Sequence, residues 1–299
     1  MTSRDGILIK AISGFYYVST DDGEITECKA RGNFRKSGVS PVVGDWVRMT
    51  VENGQGVVEE VYPRKNLLNR PTVANIDKLF IVSAYETPSP DALFIDRMTA
   101  LAVYHDITPV VVFNKNDLGD FSEWVGIYRK AGLNVYPVSA KSGTGVETLI
   151  PELQNCVSAF TGNTGVGKSS LLNTLFADLS LKTGSISEKL GRGRHTTRHV
   201  ELFRHAYGGY VADTPGFSAM EADLSDYRFK ENLVDCFPEF SDYREDCRFS
   251  SCTHTCEKGC AVLAAVEKGE IPLSRHRSYC AIFEELKDLK PWQTEKTKK

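Results

Sequence analysis

One stretch constrains the fold of this chain more than any other: Gly162-Asn163-Thr164-Gly165-Val166-Gly167-Lys168-Ser169. It fits the pattern G-x-x-x-x-G-K-[ST], which is typical of a phosphate-binding loop. The apolar residues 156–160 predict a buried strand before the loop, and residues 170–176 predict an amphipathic helix after it. A chance glycine-rich turn is the alternative, but the Lys-Ser pair and both flanking elements favour the phosphate loop.

The chemistry of such a loop assigns roles to its residues. Glycines let successive backbone N–H groups turn towards phosphate oxygens, and the positive end of the following helix faces the same anions. Lys168 is expected to reach the β- and γ-phosphates, and the Ser169 hydroxyl to bind Mg²⁺. The predicted phosphate contacts are Gly162, Asn163, Thr164, Gly165, Val166, Gly167, Lys168, Ser169 and Ser170.

Composition limits what else the chain can be. Its 299 residues are enough for about two or three domains. The formal net charge is −3, so any surface for nucleic acid must be a local basic patch. No apolar run is long enough to cross a bilayer, and the N-terminal residues lack the apolar stretch of a signal peptide. We therefore expect a cytoplasmic protein that does not bind membranes.

Residues 1–68 predict an all-β domain. About five short strands are separated by tight turns such as Asp21-Asp22-Gly23, which favours a small barrel of the OB type. The loop Arg31-Gly32-Asn33-Phe34-Arg35-Lys36 adds three cations and an aromatic ring. Such a loop can hold a nucleic-acid phosphate and stack a base, or it can be a solvated basic loop. The loop alone does not separate these alternatives.

From residue 69 onwards the pattern becomes α/β. Residues 77–84 and 109–113 are apolar runs of the kind expected for strands buried on both faces. The second run leads into Asn114-Lys115-Asn116-Asp117, which fits N-K-x-D at the carboxyl end of a strand, where open parallel sheets bind ligands. An Asp carboxylate there can accept hydrogen bonds from guanine N1–H and the 2-amino group. A polar helix cap is the alternative, but the phosphate loop in the same chain favours guanine.

A second guanine-type segment follows one helix and one strand later. The predicted strand 134–138 ends in Ser139-Ala140-Lys141. In GTPases, S-A-K at this point contacts guanine O6 through backbone N–H. The segment means little alone, but it corroborates N-K-x-D. The predicted guanine contacts are Asn114, Lys115, Asn116, Asp117, Ser139 and Ala140.

Two further segments are typical of nucleotide-dependent switches. The polar segment 183–198 contains Thr196 and Thr197, one of which could place a hydroxyl on Mg²⁺ and a backbone N–H on the γ-phosphate. After a predicted strand, Asp213-Thr214-Pro215-Gly216 fits D-x-x-G, with Asp213 bound to Mg²⁺ through water and the Gly216 N–H on the γ-phosphate. Loss of the γ-phosphate would release both segments.

The order of these motifs is unusual. In an ordinary small GTPase the phosphate loop and both switches precede the guanine motifs, whereas here the guanine motifs come first. The chain therefore predicts a circular permutation of the same sheet, which is tolerated because domain termini lie close together. The strand that carries Asp213 then ends the nucleotide domain, so nucleotide state could move the C-terminal domain.

Five candidate metal ligands crowd into residues 247–260. They are Cys247, Cys252, His254, Cys256 and Cys260. Structural zinc takes four thiolate or imidazole ligands in a tetrahedron. In a reducing compartment such crowding favours one structural Zn²⁺ over disulfides or unligated thiols.

The chain resembles the ribosome small-subunit-dependent GTPase (RsgA) family, which are circularly permuted GTPases. The resemblance covers essentially the whole length and is carried by residues 31–35, 43–47, 114–117, 162–170, 193–197, 213–216 and the cysteine cluster. It implies an OB barrel at 1–68, a circularly permuted α/β P-loop GTPase domain at 69–222 and a mainly helical zinc domain at 223–299. It also implies GTP hydrolysis that the small ribosomal subunit stimulates, a role in late maturation of that subunit, and contact with its rRNA.

The family's zinc pattern, C-x4-C-x-H-x5-C, corresponds here to Cys247, Cys252, His254 and Cys260. Cys256 is additional and could compete with His254. Near the C-terminus Arg275, His276 and Arg277, with the tail lysines 296, 298 and 299, could contact rRNA or form a charged helix face.

One position departs from Ras-like enzymes. Phe217 follows the D-x-x-G motif, where a Gln would orient the attacking water. His195 could replace it, because a neutral imidazole can orient water or accept its proton. The alternative is that His195 only packs or binds rRNA. The predicted catalytic residues are thus His195, Lys168 and Asp213.

Three functions remain to be weighed. The first is a GTPase switch on an RNA–protein particle, and the second is an RNA scaffold that binds GTP or GDP without catalysis. The third, an ATP-using P-loop enzyme, is disfavoured by Asn114-Lys115-Asn116-Asp117. We expect a monomer with the small ribosomal subunit and its rRNA as partners.

Overall fold

The structure, a computed structural model, describes residues 2–32, 34, 40–52, 54–69, 71–177, 200–213 and 227–289. They fall into two compact units. The first lies within Met1–Lys78, Ile150–Phe160 and Leu172–Phe217, and the second within Leu79–Leu149, Thr161–Leu171 and Ser218–Lys299.

The strands of the described residues are β1 (Thr2–Ile12), β2 (Phe15–Ser19), β3 (Ile25–Ala30), β4 (Trp46–Glu52), β5 (Gln55–Val61), β6 (Leu67–Asn69), β7 (Thr72–Ala74), β8 (Lys78–Ala84), β9 (Thr108–Asn114), β10 (Asn134–Pro137), β11 (Val157–Thr161), β12 (Glu201–Arg204) and β13 (Tyr210–Asp213). The helices are α1 (Ala92–Tyr104), α2 (Ser122–Lys130), α3 (Ile150–Leu153), α4 (Lys168–Leu175), α5 (Tyr227–Asn232), α6 (Ser241–Arg244), α7 (Ala261–Glu267) and α8 (Leu273–Leu286). Short 3₁₀ turns cover Val146–Leu149, Leu233–Cys236 and Pro238–Phe240. None of the described helices is both long and apolar enough to cross a membrane.

The first five strands close into a barrel. β1 pairs with β2 and β4, β2 with β3, β3 with β5 in parallel, and β5 with β4. Apolar side chains alternate inwards and meet in a core that is almost fully buried, formed by Val18, Cys28, Val47, Met49 and Val58. The predicted OB-like barrel is confirmed.

The barrel sheet continues into three further strands that lie almost wholly in the same unit. β1 pairs with β12, β12 pairs antiparallel with β13, and β13 pairs in parallel with β11. The strand β11 is buried along its whole length and leads into the phosphate loop. The barrel sheet is thus extended at β1 by β12, β13 and β11, in that order.

The second unit contains β9, β10 and all of β8 but Lys78, in the order β10-β9-β8, and β9 and β10 are parallel. Six of seven residues in both β8 and β9 are buried, as predicted for strands covered on both faces. α1 begins after Asp91, whose side chain accepts a hydrogen bond from the Phe94 N–H at 3.2 Å. The sheet presents the carboxyl end of β9, and with it Asn114, to the phosphate loop.

The C-terminal helices are held to α1 by a buried arginine. Arg275 on α8 is fully buried and its guanidinium donates to Asp96 at 2.8 Å and to Glu239 at 2.6 Å. The guanidinium also lies over the ring of Phe237, 4.6 Å from its centroid. His276 is buried as well, so the predicted exposure of Arg275 and His276 to rRNA is wrong. The pattern suggested an exposed basic helix because the two carboxylates that neutralise Arg275 come from distant segments.

Candidate functional site

The phosphate-type loop connects β11 to α4 in a conformation that requires glycine. Gly162 has φ +147° and Gly167 has φ +88°. A Cβ atom on Gly162 would overlap the Val82 carbonyl oxygen, and one on Gly167 would overlap the Asn114 side-chain amide. Both glycines are therefore needed for the loop to pack against β8 and β9, apart from any role towards a ligand.

Lys168 folds back over this loop. Its ammonium donates to the carbonyl oxygens of Gly162 at 2.5 Å and Asn163 at 2.9 Å. Burial lowers the pKa of Lys168, since a charged ammonium loses solvation there. An ammonium in this position gains from a nearby polyanion, which is the chemistry expected for a lysine that binds phosphates. Ser169, in the first turn of α4, is exposed.

A single buried amide joins the phosphate-type loop to both guanine-type segments. Asn114, the last residue of β9, donates from Nδ2 to the Val166 carbonyl at 2.9 Å. Its Oδ1 accepts the Ala140 N–H at 3.0 Å. Because Asn114 is only 2% exposed, losing either partner leaves a buried polar group unpaired. The N-K-x-D, S-A-K and G-x-x-x-x-G-K-S segments therefore meet at one side chain.

The carboxylate of Asp117 is held in its charged form. The Ser139 hydroxyl donates to Asp117 Oδ1 at 2.6 Å, and this hydrogen bond lowers the pKa of Asp117. The carboxylate is exposed, whereas Ser139 is buried beneath it. A charged carboxylate with free lone pairs can accept from two adjacent N–H groups, as guanine presents.

Lys115 lies against a segment that sequence reasoning missed. Its backbone has φ +64°, and its ammonium donates to the carbonyls of Glu86 at 3.1 Å and Thr87 at 3.2 Å. A Cβ on Gly165 would lie 3.3 Å from the same Thr87 oxygen. The turn after β8 therefore contacts both the N-K-x-D lysine and the phosphate-type loop. It acts through backbone oxygens, so no side-chain pattern could have revealed it.

The switch-type residues are described only in part. Asp213 ends β13, and its backbone is the register partner of Glu201 on β12. The side chain of Asp213 and the predicted residues His195, Thr196, Thr197, Gly216 and Phe217 lie outside the described part of the chain.

The four predicted metal ligands converge in the C-terminal region. The ligand atoms of Cys247, Cys252, His254 and Cys260 all lie within 4.8 Å of one another. His254 Nδ1 is 3.5 Å from the sulfurs of Cys247 and Cys260, and these two sulfurs are 3.8 Å apart. A tetrahedral zinc site has ligand separations of about 3.6 Å for nitrogen to sulfur and about 3.8 Å for sulfur to sulfur. The donor set and spacing fit Zn²⁺, and Cys256 is exposed and outside this set.

Backbone N–H groups support the cluster. Cys260 caps the start of α7, where its sulfur accepts the Leu263 N–H at 3.5 Å. The Cys247 sulfur accepts the Ala261 N–H at 3.3 Å. Hydrogen bonds to sulfur and the positive end of a helix both favour thiolates, the form that binds metal.

The loop that carries His254 is held by hydrogen bonds from helix α8. His254 has φ +58°, a conformation that costs energy for a residue with a Cβ atom. Its carbonyl oxygen lies 2.8 Å from His276 Nε2, and the neighbouring Thr253 carbonyl accepts from the Tyr279 hydroxyl at 2.9 Å. Two residues of α8 thus fix the backbone that presents the imidazole.

The carboxylate of Glu257 stabilises the same loop, of which it is a part. Glu257 accepts the N–H groups of Thr253, Thr255 and Cys256 at 2.7 to 3.1 Å. Burial alone would raise the pKa of Glu257, but the hydrogen bonds from Thr253 and Cys256 outweigh it and lower the pKa to about 2. The loop between the second and fourth cluster residues is therefore ordered by its own chain.

Two family models match the sequence. One, described as RsgA GTPase, covers residues 61–223, and one described as RsgA N-terminal domain covers residues 5–58. A relative from Caldanaerobacter subterraneus subsp. tengcongensis, named small ribosomal subunit biogenesis GTPase RsgA, is 45% identical over 96% of this chain and 97% of its own. A relative of the same name from Bacillus cereus is 44% identical over 96% of this chain and 99% of its own.

Two solved structures share the fold. YjeQ from Thermotoga maritima has a TM-score of 0.81 and 36% identity, covering 97% of this chain and 100% of that one. YloQ, described as a circularly permuted GTPase, has a TM-score of 0.81 and 34% identity, covering 97% of each chain. The predicted circular permutation agrees with that description.

Proposed function

The chain belongs to the RsgA GTPase family, and on that premise we propose that it hydrolyses GTP to GDP and phosphate on the small ribosomal subunit during its late maturation. The relatives from Caldanaerobacter subterraneus and Bacillus cereus are named for the biogenesis of that subunit. Contact with rRNA is assigned to the barrel and to the zinc-binding region. The protein acts as a cytoplasmic monomer.

The observation that carries this proposal is the position of Asn114. Its amide contacts Val166 in the phosphate-type loop and Ala140 in the second guanine-type segment. Asp117, three residues after Asn114 in the same motif, is charged and exposed. One guanosine nucleotide would therefore meet Lys168 at its phosphates and Asp117 at its base. Adenine lacks the N1–H and 2-amino donors, which argues against an ATP-using enzyme.

The predicted site residues have separate roles in GTP hydrolysis. Lys168 and the backbone of residues 162–169 hold the phosphates, while one of Thr196 and Thr197, together with Gly216, contacts the γ-phosphate. Ser169 and, through water, Asp213 would hold Mg²⁺, which neutralises charge that develops on the phosphates. His195 orients the attacking water in place of a switch glutamine.

The zinc-type cluster serves the fold. Cys247, Cys252, His254 and Cys260 would hold one Zn²⁺ with protein ligands in all four positions, which leaves none open for catalysis. We assign it to a zinc-binding domain at 223–299, after a barrel at 1–68 and a GTPase domain at 69–222. The bounds of the two matching family models support the first two domains.

Turnover measured with purified ribosomal subunits tests the proposal. GTP hydrolysis is followed with small subunits, with large subunits and with neither, and ATP is added as a competitor. We expect stimulation by small subunits alone and no competition by ATP. GTP binding with equal, negligible turnover in all three conditions would favour the second candidate, a non-catalytic RNA scaffold.

A further inference from the structure

A row of three residues runs from the barrel to the D-x-x-G aspartate. Lys10 on β1 is the antiparallel register partner of Glu201 on β12, and Glu201 is the register partner of Asp213 on β13. Because neighbouring strands lie about 4.8 Å apart, the backbones of Lys10 and Asp213 are separated by about 10 Å. The barrel therefore reaches to within two strands of a predicted nucleotide-site residue.

The side chains of this row are joined as well as the backbones. Lys10 Nζ lies 3.0 Å from both carboxylate oxygens of Glu201. The two side chains are 33% and 32% exposed, whereas Arg4 and Glu24, an ion pair elsewhere in the barrel, are 41% and 58% exposed. Partial burial reduces solvent screening, so the Lys10 pair constrains its strands more than the exposed pair does.

Two more contacts fix the β12–β13 hairpin to the barrel. Arg204 donates to the Asp21 carbonyl at 2.6 Å, and the Tyr210 hydroxyl lies 3.1 Å from Ser19 Oγ. Of these contacts, the one between Lys10 and Glu201 is nearest in register to the end of β13.

The turn of the same hairpin lies against the phosphate-loop helix. The Tyr207 hydroxyl donates to the Leu175 carbonyl at 3.0 Å, and the His205 ring stacks on Phe176 with centroids 5.0 Å apart. The hairpin therefore contacts the barrel and, at its turn, Leu175 and Phe176.

We propose that Lys10 is a positioning residue for GTP hydrolysis. By holding Glu201 it fixes β12 beside β1, and β12 is the strand whose backbone pairs with β13 up to Asp213. This assignment rests on the proposed function, because it takes Asp213 to act on nucleotide-bound Mg²⁺. It gives the barrel a part in hydrolysis that is separate from contact with rRNA.

The test compares Mg²⁺ dependence in full-length variants without ribosomal subunits. In Lys10→Met and Glu201→Gln, we expect the Mg²⁺ concentration for half-maximal turnover to rise by up to about fivefold. The gain in affinity that Mg²⁺ gives to a non-hydrolysable GTP analogue should shrink by the same factor, while GDP affinity in EDTA stays at the wild-type value. Lys10→Arg should restore both readouts, and the matched control Arg4→Met should leave both unchanged.

Melting curves separate positioning from stability. The proposal is overturned if Lys10→Met and Glu201→Gln melt at a lower temperature than wild type but keep the wild-type Mg²⁺ dependence of turnover and of analogue binding. Should Lys10→Met not fold, Glu201→Gln and Lys10→Arg decide the question by the same two readouts. A wild-type chain that binds GTP without turnover, both alone and with small ribosomal subunits, would overturn the proposed function, and this assignment with it.

Discussion

The Asn114 side-chain amide lies 2.9 Å from the Val166 carbonyl oxygen, across 52 residues of sequence. Through this bond the segment predicted to recognise the base supports the loop predicted to hold the phosphates. The same amide accepts the Ala140 N–H, so its orientation is fixed by a donor on one side and an acceptor on the other. The segments predicted to recognise the base and the phosphates are thus held to one another.

Asn114→Ala should weaken nucleotide binding. The substitution removes the hydrogen bonds that Asn114 makes with the Val166 carbonyl and the Ala140 N–H, and breaking a buried hydrogen bond costs about 1–3 kcal/mol. We expect GDP affinity, measured by titration with a fluorescent analogue, to fall at least about tenfold. Gln55→Ala, which removes an exposed amide from the barrel, is the control. An affinity within about twofold of wild type would show that the link is dispensable.

Ser139→Ala should make guanine binding more sensitive to acid. The Ser139 hydroxyl lowers the pKa of Asp117, so removing it moves that pKa upward and the carboxylate is lost at a higher pH. GDP affinity measured as pH falls from neutral should therefore decline earlier in the variant than in wild type. Ser122→Ala is a matched control, because Ser122 donates to Asp120 at 2.6 Å and lowers its pKa in the same way outside the site. Coincident pH profiles for wild type and Ser139→Ala would count against the role of Asp117.

His195→Ala tests the proposed orientation of water. We expect turnover stimulated by small ribosomal subunits to be lost, while GTP affinity stays near normal because the imidazole is not assigned to binding. Stimulated rates and analogue affinities are measured on the same preparation. Unchanged stimulated turnover would retire His195 as the substitute for glutamine.

Two cysteine substitutions distinguish the cluster from its neighbour. Cys252→Ser removes one of four converging ligands and should abolish zinc binding, whereas Cys256→Ser changes an exposed thiol outside the set and should keep it. We measure the zinc content per chain and the melting temperature from the helical circular-dichroism signal. Treating the wild type with a chelator should have the same effect on both as Cys252→Ser. Loss of zinc from Cys256→Ser with retention in Cys252→Ser would reverse the ligand assignment.

Arg275→Met should destabilise the protein by about 3–5 kcal/mol, because it leaves the carboxylates of Asp96 and Glu239 buried without a counter-ion. Burial, which outweighs attraction by Arg275, raises the pKa of Asp96. Without Arg275 that carboxyl takes up a proton more readily, so the deficit should shrink as pH falls. Denaturant unfolding at two pH values measures both effects. Arg277→Met, on the exposed face of the same helix, should be nearly neutral at both.

Much of the fold could be predicted from local patterns. Short strands separated by tight turns predict the barrel, and the apolar runs at β8 and β9 predict strands buried on both faces. Helix type and bounds are harder to predict: residues 146–153 and 227–236 each form part 3₁₀ turn and part α-helix. Propensity sets the type of an element, whereas its ends depend on caps and packing.

The sequence by itself determined the chemistry of the sites, because motif spacing and cysteine spacing are properties of contiguous chain. Only the tertiary structure decided which residues contact and stabilise one another across long stretches of sequence. The sequence around Arg275 is typical of an exposed basic helix, yet Arg275 is buried, and its burial depends on Asp96, 179 residues away. Lys10 looks like an ordinary strand lysine until Glu201, 191 residues on, is placed opposite it. Such contacts follow from long-range strand and helix placement, where the free energy of burying a charge depends on partners that no local pattern contains.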